Sequence, residues 1–288
     1  MKINVIYNWL LVIGRGIGQV MFQNNALSGL LMLLGIFLNS WQLGVGAIAG
    51  NVISTVTAYV AGYSRDDIKN GLYGFNGTLV GIAVGVFMQF SLISILLMAI
   101  ASSFSSWIVQ LFHRQHLFSG FTAPFILAVW LLLGLCTCVL PDCLLPAESV
   151  AHITIGIDYF QSMAMAIGQV MFQGNIWSGL FFLAAILINS RMASFYTLVG
   201  ALLPIPFAIL LGVDTVQVNM GLMGYNGVLC AIAIGEKSWI SLVWAICSVL
   251  LSVVLQILGT TWGITTLTAP FVLSVWIVVL LRNRMNYR

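Results

Sequence analysis

Three sequence motifs occur twice in this chain, in the same order and at nearly the same spacing. The pairs are GIGQVMFQNNALSGL (16–30) with AIGQVMFQGNIWSGL (166–180), GLYGFNGTLVGIAVG (71–85) with GLMGYNGVLCAIAIG (221–235), and FTAPFILAVW (121–130) with LTAPFVLSVW (267–276). The separations are 166 − 16 = 150, 221 − 71 = 150 and 268 − 122 = 146 residues. Constant order and spacing indicate a duplicated half. We therefore predict one repeat at 1–145 and a second at 146–288.

The composition determines the solvent in which these repeats fold. The chain is 61% hydrophobic and 6% charged, with a mean hydropathy of +1.08. A soluble domain carries about 25% charged residues, so this chain is predicted to lie in a lipid bilayer, where spanning segments are helical. Its basic residues are scattered, so its net charge of +3 does not indicate a nucleic-acid partner. Duplicated halves in a chain of this class are typical of transporters and channels.

Twelve apolar runs, six in each half, could cross the membrane, but several are shorter than the ~20 residues of an upright helix. The distribution of charge favours a model in which the first run of each half, 8–23 and 152–172, enters and returns on the same side. Each half then has five crossings and one re-entrant helix. Basic residues fall on the cytoplasmic side and acidic residues outside, as the positive-inside rule expects: Arg65, Lys69, Arg114, Arg191 and Lys237 inside, and Asp142, Glu148, Asp158 and Asp214 outside.

Five is an odd number, so the second half is predicted to be inserted upside down, with both chain termini cytoplasmic. Equivalent loops should then differ in charge, and they do: Arg65 aligns with Thr215, and Arg191 aligns with Trp41. The predicted fold class is an all-α integral membrane protein built from two inverted repeats.

Both predicted re-entrant segments carry a glutamine beside glycine, Gln19 and Gln169, and a second glutamine four positions later, Gln23 and Gln173. An amide at membrane depth can bind a neighbouring helix or line a polar cavity. Phe22 follows the first glutamine by three positions and lies on a neighbouring part of the same helix face.

The GFNG and GYNG motifs each place an aromatic ring, Phe75 or Tyr225, before an asparagine between glycines. The asparagine can cap its own turn or contact a solute. The rings recur at equivalent positions and are the better functional candidates.

In the TAPF motif, proline lacks an N–H and frees a carbonyl one turn earlier. The hydroxyl of Thr122 or Thr268 can satisfy that carbonyl or face a pore.

Catalytic and ionic functions are not supported. The chain has no nucleophile–base pair and no metal cluster by which an enzyme would be recognised. Asp158 is the one acidic residue near a membrane run, whereas proton- or sodium-coupled carriers place such groups near the midplane. A passive route for a neutral solute, with no cofactor and no metal, is therefore predicted.

The repeated motifs GRGIGQVMFQNN, GLYGFNGTLVG and TAPFxxxxW resemble those of the urea transporter family over about residues 8–281. The resemblance implies ten crossing helices and two re-entrant helices in an inverted repeat. It also implies a homotrimer with one pore per subunit, and a narrow apolar slot lined with polar oxygen ladders that conducts urea by facilitated diffusion.

Carried onto this chain, the resemblance implies ten solute-contacting residues. Gln19 and Gln169 would occupy the outer binding positions, and Thr122 and Thr268 the constriction. The slot would be lined by Phe22, Phe75, Leu79, Phe172, Tyr225 and Leu229. Tyr225 departs from its counterpart by adding a hydroxyl to one face.

We expect urea and membrane lipid as partners and the bacterial inner membrane as the location. Two other functions stay open at this point: a channel for ammonia or short amides, and an intramembrane enzyme.

Overall fold

The computed structural model describes residues 2–115, 119–146 and 156–286. The described residues form helices joined by turns, with one 3₁₀ turn at Pro141–Cys143 and no strand among them. The predicted all-α class is confirmed. Two compact units divide the chain, residues 1–150 and 151–288. The predicted external position of Glu148 lies outside the described residues.

Seven helices make up the described part of the first unit. They are α1 Lys2–Gln19, α2 Ala26–Asn39, α3 Trp41–Val60, α4 Arg65–Lys69, α5 Gly74–Phe87, α6 Leu92–Gln115 and α7 Ala123–Val139. Local signals explain two of the boundaries. The Asn25 side chain accepts hydrogen bonds from the first backbone N–H groups of α2, and Ser40 does the same for α3, as expected for helix N-caps.

The chain reverses direction between α1 and α2, and the two helices pack with their backbones in direct contact. A Cβ atom added at Gly29 would overlap the carbonyl oxygen of Gly14 and lie 3.0 Å from the backbone nitrogen of Gly18. Only glycine permits this approach. The apolar run predicted at 8–23 is therefore a helix to Gln19 followed by a reversing turn.

Eight helices make up the described part of the second unit. They are α8 Tyr159–Gln169, α9 Ile176–Asn189, α10 Arg191–Leu202, α11 Pro204–Leu210, α12 Thr215–Asn219, α13 Tyr225–Ile234, α14 Trp239–Thr261 and α15 Ala269–Asn286. The first unit has the continuous helix α3, whereas the equivalent helix of the second unit is interrupted at Leu203, between α10 and α11. Pro204 and Pro206 follow directly and cannot donate the helical hydrogen bonds that would continue α10.

Four segments of the described residues are long and apolar enough to span a membrane: Trp41–Val60, Leu92–Gln115, Arg191–Leu210 and Trp239–Thr261. The apolar helices Ala26–Asn39, Gly74–Phe87, Ala123–Val139, Ile176–Asn189 and Tyr225–Ile234 are shorter. Large apolar side chains such as Leu96, Trp107 and Leu131 lie exposed on these helices, which suits a lipid environment. The prediction of an integral membrane protein is supported.

Candidate solute-binding site

A cavity of about 230 Å³ lies within the first unit, between the end of α1, the start of α5 and the turn before α7. Its lining includes four of the five residues predicted in this half: Gln19, Phe22, Phe75 and Thr122. The remaining lining residues are Val20, Leu72, Val109, Phe112, His113, Ser119, Gly120, Phe121 and Pro124. The structure thus brings together side chains that lie about one hundred residues apart in the sequence.

The fifth predicted residue, Leu79, lies one turn further along α5 than Phe75. It is fully buried and is not part of the cavity lining. Its counterpart Leu229 on α13 is also fully buried. The predicted roles of both leucines in contacting solute stay predictions.

Two phenylalanines that line the cavity have an unusual backbone conformation. Phe22 has a φ of 62° and Phe121 a φ of 44°, the left-handed region that residues other than glycine rarely adopt. Their rings meet edge to face with centroids 5.9 Å apart, a favourable arrangement for aromatic pairs. Backbone strain of this kind persists only where the surrounding structure imposes it, and it clusters at functional sites.

The second unit repeats this backbone feature at equivalent positions. Phe172 has a φ of 60° and Leu267 a φ of 49°. Phe172 follows the end of α8 as Phe22 follows the end of α1, and in each turn the phenylalanine N–H donates to the glutamine carbonyl three residues earlier, at 3.0 Å. Sequence identity in the first motif therefore corresponds to the same strained turn.

The two predicted glutamines differ in their hydrogen bonds. The Gln19 side-chain amide donates to the carbonyl of Asn70 at 3.0 Å. For the half-buried Gln169 amide, no hydrogen-bond partner is found among the residues that the structure describes. The described residues therefore engage neither the donors nor the acceptor of the Gln169 amide, whereas one donor of Gln19 is engaged.

Each glutamine of the second pair makes a hydrogen bond within its own turn. The side-chain amide of Gln23 donates to the Met21 carbonyl at 2.7 Å, and that of Gln173 to the Met171 carbonyl at 2.5 Å. These contacts hold the reversing turn after α1 and its counterpart after α8.

The motif asparagines hold the beginning of the TAPF helices. Asn76 accepts a hydrogen bond from the Phe125 N–H at 3.0 Å and donates to the Phe121 carbonyl at 3.4 Å. Asn226 accepts from the Phe271 N–H at 3.2 Å. An uncapped helix start leaves backbone N–H groups without partners, and here a side chain about 45 residues away supplies one. The sequence left open whether each asparagine caps its own turn or contacts a solute. In the structure each asparagine instead caps the start of a distant helix.

The TAPF motif begins a helix rather than bending one. Pro124 lies in the first turn of α7, where its missing N–H costs no helical hydrogen bond. The sequence predicted that Pro124 would free a helical carbonyl one turn earlier. This prediction was wrong, because the helix begins at Ala123 and no helical turn precedes the proline. Thr122 and Thr268 immediately precede α7 and α15 and are each 2% exposed.

The Tyr225 hydroxyl is engaged inside the second unit. It donates to the Leu267 carbonyl at 2.6 Å and lies 3.2 Å from Oε1 of Gln256 and 3.3 Å from the Thr266 hydroxyl. Gln256 also accepts from the Asn226 amide at 3.1 Å. The hydroxyl predicted to modify one face of the slot thus holds the strained Leu267 backbone in place.

Gln256 was missed by the sequence argument. A buried amide in the apolar run of α14 is the available signal, and its counterpart Gln110, at 256 − 110 = 146, lies in α6. Gln110 accepts from the Tyr73 hydroxyl at 2.6 Å. Each unit therefore carries one tyrosine–glutamine pair, but the tyrosine occupies a different position in the repeat.

The cavity of the first unit has the chemistry of a site for a small neutral molecule. Its lining combines aromatic and aliphatic groups with the Gln19 amide and the hydroxyls of Ser119 and Thr122, and it contains no carboxylate. The His113 imidazole also lines the cavity and lies 3.7 Å from the Asp67 carboxylate. A few placed polar groups in an apolar wall are typical of small-molecule sites.

Comparison with known proteins gives a consistent result. Residues 10–283 match the family model described as "Urea transporter". The chain is 34% identical over 253 residues to "Urea transporter 1" of Rattus norvegicus and 32% identical to that of Mus musculus, covering 82% of this chain and 64% of each relative. It is 29% identical over 300 residues to "Urea transporter 1" of Ovis aries, covering 96% of this chain and 77% of that protein. The chain thus spans a little under two thirds of the length of the first two relatives.

Proposed function

This chain belongs to the urea transporter family, whose members are transport proteins rather than enzymes, and we propose that it conducts urea passively across a membrane, as a channel. The observation that carries the proposal is the cavity of about 230 Å³ in the first unit, whose lining brings Gln19, Phe22, Phe75 and Thr122 together.

The chemistry of this lining suits urea. Urea is planar and neutral, with N–H donors and a carbonyl acceptor in its plane. Apolar ring faces can contact its flat sides while amide and hydroxyl oxygens accept its N–H groups. An ion would have to shed its hydration water without a charged replacement, so ions are excluded. The proposed solute-contacting residues are Gln19, Phe22, Phe75, Leu79, Thr122, Gln169, Phe172, Tyr225, Leu229 and Thr268.

Flux measured on the purified protein in liposomes tests the function directly. Urea flux is expected to run down its gradient and to be unaffected by proton or sodium gradients, because no carboxylate lines the cavity. Stopped-flow light scattering with urea, short amides and ammonia on the same vesicles measures preference among solutes. Accumulation of urea against its gradient, or conduction of ammonia without urea, contradicts the proposal.

Replacing the buried threonines should slow transport without unfolding the protein. Thr122→Val and Thr268→Val keep the side-chain shape but remove a hydroxyl. A hydrogen bond contributes about 0.5–1.5 kcal/mol net, so each variant should conduct urea roughly three- to tenfold more slowly. If both variants fold normally and conduct at the parent rate, these residues do not contact urea, and TAPF serves only to begin α7 and α15.

We propose that the two halves, 1–145 and 146–288, are inverted repeats with five crossings and one re-entrant helix each. The support is the charge distribution together with the shared backbone features at Phe22 and Phe172. In this topology Arg65, Lys69, Arg114, Arg191, Lys237 and both termini are cytoplasmic.

Single cysteines introduced at Lys69, Arg191 and Lys237 of a cysteine-free parent test this topology. A membrane-impermeant maleimide should label all three only from the cytoplasmic side. Asp142 and Asp214, converted in the same way, serve as external controls. Labelling of residue 69 from outside would eliminate the re-entrant arrangement.

The homotrimer with one pore per subunit and the bacterial inner membrane also stay proposals, and they rest on the family resemblance alone. The relatives compared above are mammalian. Native mass spectrometry of the detergent-solubilised protein tests the trimer, and a mass of one or two chains would contradict it. Fractionation of the source cells tests the location.

A further inference from the structure

A second cavity, of about 270 Å³, lies in the second unit at the start of α10 and the turn between α13 and α14. It contains none of the residues proposed to contact urea. Its lining is Met192, Phe195, Tyr196, Glu236, Lys237, Ser238, Trp239 and Leu242. We call it the α10–α14 groove.

Hydrogen bonds hold the turn that carries Lys237. The Tyr196 hydroxyl donates to the Glu236 carbonyl at 2.7 Å. The Glu236 N–H donates to the Ser241 hydroxyl at 2.7 Å, and this hydroxyl donates to the Ile234 carbonyl at 2.7 Å. The backbone of Lys237 is thereby set in one position at the mouth of the groove.

The lining of the groove holds one basic and one acidic residue, Lys237 and Glu236, and two further basic residues, Arg191 and Arg282, adjoin lining residues. Lys237 has no carboxylate partner among the described residues, and neither has Arg191, which directly precedes the lining residue Met192. Arg282 from α15 lies 3.5 Å from Glu236 and offsets that carboxylate. Two basic residues, Lys237 and Arg191, are thus left to attract an anion.

Exposed aromatic side chains flank these charges. Trp239 is 79% exposed and Phe195 is 50% exposed. Tryptophan with basic residues at the end of a crossing helix is typical of the level of lipid headgroups. The groove therefore combines an apolar wall with cationic groups, a combination typical of sites at the level of phospholipid headgroups.

The first unit has an equivalent groove with different chemistry. The Ser91 hydroxyl accepts from the Ser94 N–H at the start of α6, as the Ser238 hydroxyl accepts from the Ser241 N–H at the start of α14, with 238 − 91 = 241 − 94 = 147. By the same spacing Phe90 stands where the second unit has Lys237. The lining of this groove contains no charged residue: Trp41, Gln42, Val45, Gly46, Ala49, Gly81, Val84, Gly85, Met88, Gln89, Phe90, Ser94, Ile95, Met98 and Leu145. The equivalent turn of the first unit thus forms without a charged residue in the lining of its groove.

We propose that the α10–α14 groove binds an anionic phospholipid of the cytoplasmic leaflet. Lys237 and Arg191 contact the phosphate, and Trp239 and Phe195 contact the glycerol and the upper acyl chain. The choice of an anionic lipid follows from charge complementarity, because the cytoplasmic surface of a membrane carries anionic headgroups. The inference rests on the proposed topology of Lys237 and is independent of urea conduction.

Native mass spectrometry of the purified protein in mixed micelles with equal amounts of phosphatidylglycerol and phosphatidylcholine tests this proposal. The parent should retain phosphatidylglycerol in preference. Lys237→Gln and Arg191→Gln should each lower the ratio of retained phosphatidylglycerol to phosphatidylcholine about fivefold, which corresponds to the ~1 kcal/mol of a basic residue near an anionic surface. Arg114→Gln, which changes another exposed basic residue predicted to be cytoplasmic and lying outside the groove lining, is the control and should leave the ratio unchanged.

Three results would overturn the assignment: equal retention of both lipids by the parent, an equal decrease with Arg114→Gln, or displacement of phosphatidylglycerol by millimolar inorganic phosphate. The last would identify a site for free phosphate. Because the three substituted positions are exposed, all variants should fold, which their elution volumes check. Urea flux of Lys237→Gln should equal that of the parent, so failure of lipid binding is distinguishable from failure of the proposed transport function.

Discussion

Replacing Gly29 with alanine is expected to leave little or no folded protein. The new Cβ would overlap the carbonyl oxygen of Gly14, and a backbone atom inside a helix cannot move without separating α1 from α2. Overpacking typically costs 1–3 kcal/mol, and a clash with backbone should cost at least about 3 kcal/mol. Separating the helices would also displace Gln19 and Phe22 from the candidate site.

The matched control is Gly134→Ala. Gly134 lies in α7, and a Cβ there would have nothing within 4 Å. Alanine is the better helix former by about 1 kcal/mol, so this variant should be at least as stable as the parent. Yield of monodisperse protein and the thermal midpoint in detergent measure both effects. A normal yield for Gly29→Ala would show that α1 and α2 are not in backbone contact.

Gln256→Leu is expected to reduce urea flux about tenfold. The substitution keeps the side-chain volume but removes the acceptor of the Asn226 amide and one acceptor near the Tyr225 hydroxyl. An unsatisfied buried polar group costs about 1–3 kcal/mol. Because Asn226 caps α15 and Tyr225 holds the Leu267 carbonyl, the backbone beside Thr268 should lose its single conformation.

Gln110→Leu provides the comparison from the first unit. Gln110 accepts from Tyr73, and neither residue lines the cavity. This variant should be less stable than the parent, with a much smaller change in flux per folded molecule. If the two glutamine variants affect flux equally, the Gln256 network contributes to stability alone and does not position the site.

The sequence predicted best where a single segment carries the information. Apolar runs, low charge and the duplicated motifs GIGQVMFQ, GLxGxNG and TAPF are local features, and they indicated the helical class, the membrane and the family. The same motifs also identified Gln19, Phe22, Phe75 and Thr122, which the structure brings into one cavity. Repetition helped, because a residue type kept in both halves of one chain is constrained twice.

Side-chain partners were predicted least well. Asparagine and glutamine carry both donors and acceptors, so their residue type does not determine their partner. Asn76 bonds to the start of α7 and not to its own turn, and Pro124 begins that helix rather than bending it. The residue type of Tyr225 did not predict that its hydroxyl donates to the Leu267 carbonyl. Each of these partners depends on which helices pack together.

By itself, then, the sequence determined the solvent of this protein, its helical class and its family, because burial in lipid and backbone hydrogen bonding within helices are decided over about twenty consecutive residues. The tertiary structure alone decided which amide meets which carbonyl, which of the predicted residues share a cavity, and where glycine is required. Those contacts join residues about 15 to 100 positions apart, and they form only when packing excludes water and every buried polar group must find a partner.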